Sequence, residues 1–485
     1  MKELNLNNLV TKELIARYST NAPRYTSYPT AVEMKEGFGD WREILKEYLV
    51  NTNSSSPLSL YFHLPFCKSL CYFCACNKII TSDIAETDPY IDLLIKEMDI
   101  YADLGLEGRE VIQLHWGGGT PNYFSAALLE RLFKEASKRF KINFEIGDIS
   151  SEIDPRTVTE EQIRTLKEVG FNRISFGVQD FNPDVQKAIN RIQPFEVTKQ
   201  VVDWSRSVGF KSINIDLIYG LPLQTIEQFN LTIDRILDLK PERIALYGYA
   251  HVTWLHKVQN SFNRLPLPSA EERIALFMLA LTRLTEAGYL YVGMDHFVLE
   301  NDLLADSVKD KSLNRNFMGY STIKGVNLIG FGYSSISCLA NAFSQNEKDL
   351  VRYKERVERG ELPSIRGLIK SHDDLVRGEV IERIMCGREV DFKEIEDTFD
   401  IDFNSYFESE LSSLDEFLKD QFIIFNFDNS SDADDCYKGE SGSKRPISFH
   451  LTELGRVFSR NIAAKFDSYL LKHQAKDKKT FSQTV

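Results

Sequence analysis

The sequence has no uninterrupted apolar run near the length a bilayer requires. Its opening residues, Met1 to Asn8, show no charged-then-apolar leader. Both absences point to a cytoplasmic protein with no membrane partner. Excess positive charge is also missing: 58 Lys and Arg stand against 71 Asp and Glu, a net charge of −13. That argues against a nucleic-acid partner, whose phosphates are held by clustered cations, but leaves room for a small anion in a local basic pocket. Cys338, Cys386 and Cys436 stand alone and suggest buried or incidental thiols. Nothing suggests an obligate oligomer, and no internal repeat appears beyond an alternation of strand-like and helix-like segments.

The other four of the seven cysteines fall within ten residues, Cys67-Lys68-Ser69-Leu70-Cys71-Tyr72-Phe73-Cys74-Ala75-Cys76. They follow the alternating apolar run Leu58–Leu64, which reads as a strand closed by Pro65, so they occupy a loop at its carboxyl end. Clustered thiols in a reducing compartment suit a soft metal or an iron–sulfur cluster better than disulfides. A structural zinc normally takes its ligands from two separated pairs, and a thiol-redox site shows an isolated C-x-x-C. A cube held by three cysteines leaves one iron open to a ligand, and Cys67, Cys71 and Cys74 fit that pattern best.

Five more strand-like runs follow, Val111–Trp116, Ile149–Ile153, Arg173–Val178, Ser212–Ile218 and Arg243–Tyr249. Helical periodicity separates them at Asp88–Leu104, Ala126–Phe140, Glu160–Val169, Phe195–Val208 and Thr225–Leu239. Six β-then-α units predict parallel strands with right-handed crossovers. Six is short of the eight that close a barrel. The expected fold is α/β, a partial TIM-like (β/α)6 barrel, with a flat doubly wound sheet as the competing layout. The strand ends carry the distinctive residues, among them Gly117-Gly118-Gly119, Glu152, Gln179, Asp216 and Ala250, as a site at the barrel's carboxyl end requires.

Four regions are expected. Residues 1–50 form a helix near Lys12–Tyr18 and a Tyr-rich arm covering the site. Residues 51–270 form the partial barrel, and 271–371 extend it on the substrate side. Residues 372–485 form a mainly helical, winged-helix-like unit. In that unit helices are expected at Asp373–Cys386, Phe392–Phe399, Tyr406–Lys419 and Thr452–Leu471. A hairpin of Phe422–Phe427 and Pro446–His450 should flank the acidic loop Asp428–Arg445.

The spacing Cys67-x3-Cys71-x2-Cys74, with Phe73 before the third thiol, resembles the radical S-adenosylmethionine superfamily. Within it, Arg24–Thr30, Cys74–Lys78, His115–Pro121, Gly177–Phe181, Asn214–Pro222, Tyr249–His251, Gly293–Phe297 and Arg315–Tyr320 resemble the oxygen-independent coproporphyrinogen III oxidases. The resemblance implies a [4Fe–4S] cluster on Cys67, Cys71 and Cys74. It also implies two molecules of S-adenosylmethionine, the first near Tyr61, Gly117, Glu152 and Ile336. The second would lie near Phe73, Gly118, Gly119, Gln179, Arg191, Asp216 and Ala250. The implied activity is anaerobic oxidative decarboxylation of two propionates of coproporphyrinogen III to vinyl groups in haem biosynthesis, through a 5′-deoxyadenosyl radical. A flavodoxin- or ferredoxin-like protein would donate the electron. A haem chaperone and a haem-modifying radical enzyme are the alternatives.

From the residues themselves, three glycines let backbone approach a ligand closely, and Glu152 could accept ribose hydroxyls. Tyr61 and His63 share a strand face, so His63 is a candidate catalytic group. Tyr25 and Tyr28 are candidates for closing the mouth against water. Arg24, Arg315 and Lys324 are candidates for holding substrate carboxylates.

Overall fold

A computed structural model of the chain describes residues 10–51, 56–427, 445–474 and 481–484. Six strands alternate with helices: β1 (Leu58–Leu64), β2 (Glu110–Gly118), β3 (Asp148–Ile153), β4 (Arg173–Gln179), β5 (Ser212–Tyr219) and β6 (Arg243–Gly248). Each lies parallel to the next, in sequence order. Local signals set the helix ends. Thr159 and Gln162 form a reciprocal cap for Glu160–Val169, and Gly170 ends that helix at φ 114°.

Six strands are not the whole parallel set. The sequence reading passed over Asn327–Phe331, which pairs parallel to β1 as a seventh strand on its outer side. With β7 (Tyr289–Gly293), β8 (His296–Leu299), β9 (Asn327–Phe331), β10 (Ile336–Leu339), β11 (Ala342–Asn346) and β12 (Ser364–Ile369), the sheet runs 7-8-6-5-4-3-2-1-9-10-11-12. This is a partial barrel with antiparallel extensions at both ends. Seven parallel strands remain one short of closure.

Each barrel strand separates two faces. On β1, Leu58, Leu60, Phe62 and Leu64 are fully buried against the surrounding helices, worth about 1.5–3 kcal/mol each as an upper bound. The other face is polar: Ser59, Tyr61 and His63 on β1, Gln113 and His115 on β2, Ser150 and Glu152 on β3, Ser175 on β4, Asn214 and Asp216 on β5. Register aligns these side chains, Tyr61 with His115, His115 with Ser150, Glu152 with Ser175, Ser175 with Asn214. Arg173 pairs with Asp148 at 2.8 Å and Arg243 with Asp302 at 2.8 Å, so charges deeper in this polar face are neutralised.

After β12 the chain is mainly helical, beginning with His372–Met385 and Phe392–Phe399. One continuous apolar cluster joins the outer faces of β5 and β6 to these helices and to Phe403, Phe417, Phe458 and Phe466. Two expected long helices are broken. Tyr406–Lys419 becomes Phe403–Tyr406, Glu408–Ser412 and Asp415–Lys419. Thr452–Leu471 becomes Glu453–Val457, Ser459–Ala463, a 3-10 turn at Ala464–Phe466, and Ser468–Gln474. The breaks fall at Phe407 (φ −111°) and Phe458 (φ −102°), each fully buried, so ring burial overrides helix continuity. Ile423–Phe427 and Pro446–Leu451 form the expected antiparallel hairpin. The loop Asp428–Arg445, Arg445 excepted, lies outside the described residues, as does Cys436. The six described cysteines are free thiols.

Candidate active site

The cysteine loop leaves β1 through Phe66–Cys67, a two-residue strand that pairs with Ile79–Ile80. The loop therefore returns to its starting point, with Cys71, Cys74 and Cys76 between. Thr120 Oγ1 donates to Cys67 Sγ at 3.2 Å. Two guanidiniums reach Cys71, Arg191 Nη1 at 3.6 Å and Arg156 Nη2 at 3.7 Å. Both also bind Asp154, at 3.2 and 2.6 Å. Burial alone pushes Asp154 up, but Arg191 and Arg156 hold its carboxyl below the ordinary value. Burial pushes the Cys67 thiol up to about 11, with the charges of Cys74 and Cys71 adding to it against the Thr120 hydrogen bond. The hydrogen bond from Cys76 and the Lys78 ammonium hold Cys74 below the usual thiol range.

These residues fit a three-cysteine cluster: the donors are thiols only, close enough to feel one another's charge, with guanidiniums and a hydroxyl placed to compensate thiolates. Among the described residues no three His, Cys, Asp or Glu side chains are gathered tightly enough for a single ion. Thiols that each bind their own iron of a cube stand farther apart than ligands of one metal.

Beside the loop, β1, β2 and β3 build a rim in which the polar groups are paired. The carbonyl of Asn77, in the cysteine loop, lies 2.8 Å from His63 Nε2. A carbonyl only accepts, so Nε2 carries the hydrogen and Nδ1 accepts from the Tyr61 hydroxyl at 3.0 Å. Burial lowers the His63 pKa to about 4, so the ring is neutral and fully engaged. The Tyr61 ring stacks on His115 at 6.0 Å. His115 Nδ1 meets Ser150 at 2.8 Å, and its Nε2 lies 3.6 Å from Glu152. Gly118 N–H donates to Glu152 at 3.2 Å. Burial opposes ionisation of Glu152, yet His115 and this N–H keep its pKa below normal.

The triple glycine is a steric requirement. A Cβ at Gly118, where φ is 109°, would lie 2.4 Å from His63 Cε1. At Gly119 it would lie 2.3 Å from the Pro65 carbonyl oxygen, and at Gly117 it would press on Glu152 at 3.1 Å. Strand ends farther round the barrel face the same space, since the charge of Glu152 acts on both Asp216 and Tyr247. Asp216 accepts from Asn214 at 2.7 Å and Ser175 at 3.3 Å, and burial, then Glu152, pushes it up to about 7. Gln179 sits at φ 72° beside Gly177, whose carbonyl accepts from Arg191 at 2.6 Å. The buried Arg191 Nε has no protein partner, leaving a donor for a ligand. Ile336 lies on β10, behind Gly330, which is the register partner of Tyr61.

Residues 61–236 match the radical SAM superfamily. An oxygen-independent coproporphyrinogen III oxidase from Synechocystis sp. is 41% identical over 462 residues, 94% of this chain and 95% of its own. The enzyme of that name from Escherichia coli is 39% identical over 94% of this chain and 95% of its own. A solved structure of coproporphyrinogen III oxidase from Escherichia coli, described as a radical SAM enzyme, superposes with a TM-score of 0.82. Its identity is 38%, covering 92% of this chain and 97% of that one. The chain belongs to the oxygen-independent coproporphyrinogen III oxidase family. As a radical SAM enzyme of this family it uses a [4Fe–4S] cluster and S-adenosylmethionine.

The N-terminal arm sits differently from expectation. Tyr25 and Tyr28 were expected to close the mouth. Instead the Tyr25 hydroxyl donates to Asp467 at 3.1 Å, and Tyr28 meets Ser468 Oγ at 3.1 Å and packs edge-on against Tyr469. Their polar ends are thus taken up by the C-terminal helices. Arg24 is the arm residue that reaches the barrel, donating to the carbonyl of Gly248 at the end of β6. Of the other proposed carboxylate binders, Arg315 is buried 3.8 Å from Asp295 and stacked on Tyr320. Lys324 is half-exposed, 3.9 Å from Glu379.

Sequence reasoning missed Thr120, Asp154, Arg156 and Gln259. Gln259 Nε2 donates to the carbonyls of Phe73 at 3.3 Å and Ala250 at 3.2 Å, tying the cysteine loop to the end of β6. Asp154 and Thr120 had a signal in their place directly after strand ends. Gln259 had none, since its partners are backbone atoms and the one in the cysteine loop is 186 residues away. Among the described residues no helix is long and apolar enough to cross a membrane.

Proposed function

We propose that this chain oxidatively decarboxylates two propionates of coproporphyrinogen III without oxygen, giving protoporphyrinogen IX in haem biosynthesis. The supporting observation is identity near 40% across 94% of the chain to enzymes named for that activity. When bound and reduced, the cluster and S-adenosylmethionine would supply the one-electron radical chemistry for hydrogen abstraction at a propionate, with the electron released on loss of CO2 passing to an external acceptor.

The chain's own residues position and shield. Cys67, Cys71 and Cys74 hold the cluster, and Arg156 and Arg191 offset its thiolate charge. Tyr61, Gly117, Glu152 and Ile336 bind the first S-adenosylmethionine, with Glu152 ionised to accept ribose hydroxyls. Phe73, Gly118, Gly119, Gln179, Arg191, Asp216 and Ala250 take a second. His63, neutral and bonded at both nitrogens, fixes Tyr61 and the cysteine loop to each other, a positioning role in place of proton transfer. Tyr25 and Tyr28 anchor the arm that presents Arg24. The chain works in the cytoplasm as a monomer, with a low-potential flavodoxin- or ferredoxin-like donor.

The arm and Cys76 favour the enzyme over a haem chaperone. The test is anaerobic: reconstituted protein, reductant, S-adenosylmethionine and coproporphyrinogen III should give the divinyl product. Haem binding without turnover would support the chaperone, and consumption of haem a haem-modifying enzyme.

A further inference from the structure

At the carboxyl end of β6 a small cavity of about 40 Å³ lies between the barrel, the N-terminal arm and the segment Ser482–Thr484. Arg24, Arg273, Arg460 and Asp295 line it. Arg460 is 8% exposed and spends its donors on neutral carbonyls, those of Pro23 at 3.0 Å, Gln483 at 2.9 Å and Ala22. Arg273 Nε is buried without a partner, and its Nη1 reaches only the Gln483 amide oxygen, at 3.4 Å. Arg24 lies 4.0 Å from Asp295, its nearest carboxylate.

Asp295 cannot neutralise all three. Its Oδ1 is 2.5 Å from His296 Nδ1 and 3.8 Å from Arg315. Burial, together with the charges of Arg24 and Arg273, lowers the Arg460 pKa to about 9, so the three guanidiniums repel one another. Buried cations without counter-charge are costly, and guanidiniums suit carboxylates. The cavity has room for a carboxylate but not for a macrocycle. Gly248 and Tyr249, just before Ala250 at the end of β6, also line it, so a ring held at that end of the barrel would be within a side chain's reach of it.

We propose that Arg24, Arg273 and Arg460 bind a propionate carboxylate of the tetrapyrrole. The inference rests on the substrate reading above and adds the subsite. Cations that stabilise a carboxylate oppose its loss as CO2. The group held here is therefore one of the two propionates that survive into the product.

The test uses the reconstituted full-length protein under anoxia, titrated with coproporphyrin III, protoporphyrin IX and coproporphyrin III tetramethyl ester. R273Q should weaken both free acids about tenfold or more, leave the ester unchanged, and raise KM with kcat nearly constant. R273K, which keeps the charge, should recover part of the loss, and iron content should match the parent in both variants. Parental affinity of R273Q for coproporphyrin III, or equal weakening of the ester, overturns the subsite. If the parent turns over coproporphyrinogen III while R273Q matches it, only the subsite falls. If the parent neither binds nor consumes the tetrapyrrole, the functional reading falls too.

Discussion

The two sides of the barrel mouth are built on opposite principles. On the side of β1, β2 and β3, His63 is bonded at both nitrogens, His115 bridges Ser150 and Glu152, and Glu152 takes the Gly118 N–H. On the side of β6, Arg24 comes no nearer than 4.0 Å to Asp295, Arg273 and Arg460 have no carboxylate partner among the described residues, and Arg273 Nε, Arg315 Nε and Asp295 Oδ2 are buried without hydrogen-bond partners. A rim whose groups are satisfied can hold a small ligand through backbone and shape. A rim short of counter-charge calls for a ligand that brings its own. The first therefore suits S-adenosylmethionine and the second an acidic tetrapyrrole.

The largest effect should come from breaking the paired side at its centre. Cys71→Ser removes the thiol that Arg156 and Arg191 both address. Iron content should fall well below the about four per chain of the reconstituted parent. Divinyl product formation should drop by at least about a thousandfold. Iron analysis and an anaerobic product assay read both.

Gly118→Ala attacks the same side sterically. The new methyl meets a His63 ring that two hydrogen bonds prevent from swinging away, at a φ of 109° that side chains rarely adopt. Strain of about 2 kcal/mol corresponds to a loss of roughly thirtyfold in kcat/KM. It should appear mainly as a raised KM for S-adenosylmethionine, with coproporphyrin III affinity preserved. An equal loss of tetrapyrrole affinity would merge the two sides into one site.

Asp216 lies between them, pushed up to about 7 by burial and by Glu152. Its carboxylate favours a cationic sulfonium only when ionised. The affinity for S-adenosylmethionine should thus fall about tenfold from pH 8 to pH 6, and D216N should flatten that dependence. Stability runs the other way. A folded pKa above the unfolded value gives a contribution present below the unfolded pKa and lost as pH rises through about 7. D216N should therefore gain on the parent in chemical denaturation as pH rises from 6 to 8.

How much of this was readable beforehand follows the range of the interactions. Leu58–Leu64, Glu160–Val169 and Phe392–Phe399 were predicted residue for residue, because alternation, a capping box and a closing Gly170 are local signals. The clustered cysteines and the triple glycine stood out for the same reason: each group is contiguous or nearly so in the chain. Asn327–Phe331 was missed because only its partner β1 makes so short a run a strand. The breaks at Phe407 and Phe458 come from rings buried in a shared core. Tyr25 and Tyr28 were placed at the mouth from composition, but their partners lie some 440 residues away. Arg24, Arg273 and Arg460 come together only after the arm, the helix Ala270–Glu286 and the C-terminal helices pack.

Lys324 separates burial from mere positive charge, and there the smallest change is expected. It is a cation just before β9, half-exposed and 3.9 Å from Glu379. Water and salt screen such a pair, so K324Q should leave coproporphyrin III affinity within about twofold of the parent. Arg273 differs in one respect that matters: its buried Nε has no partner and its charge stands beside those of Arg24 and the buried Arg460, where a carboxylate replaces repulsion with attraction. If K324Q weakened binding as much as R273Q, the tetrapyrrole would be responding to the overall field of the surface. The contrast between a satisfied rim and a charge-deficient one would then no longer explain which ligand goes where.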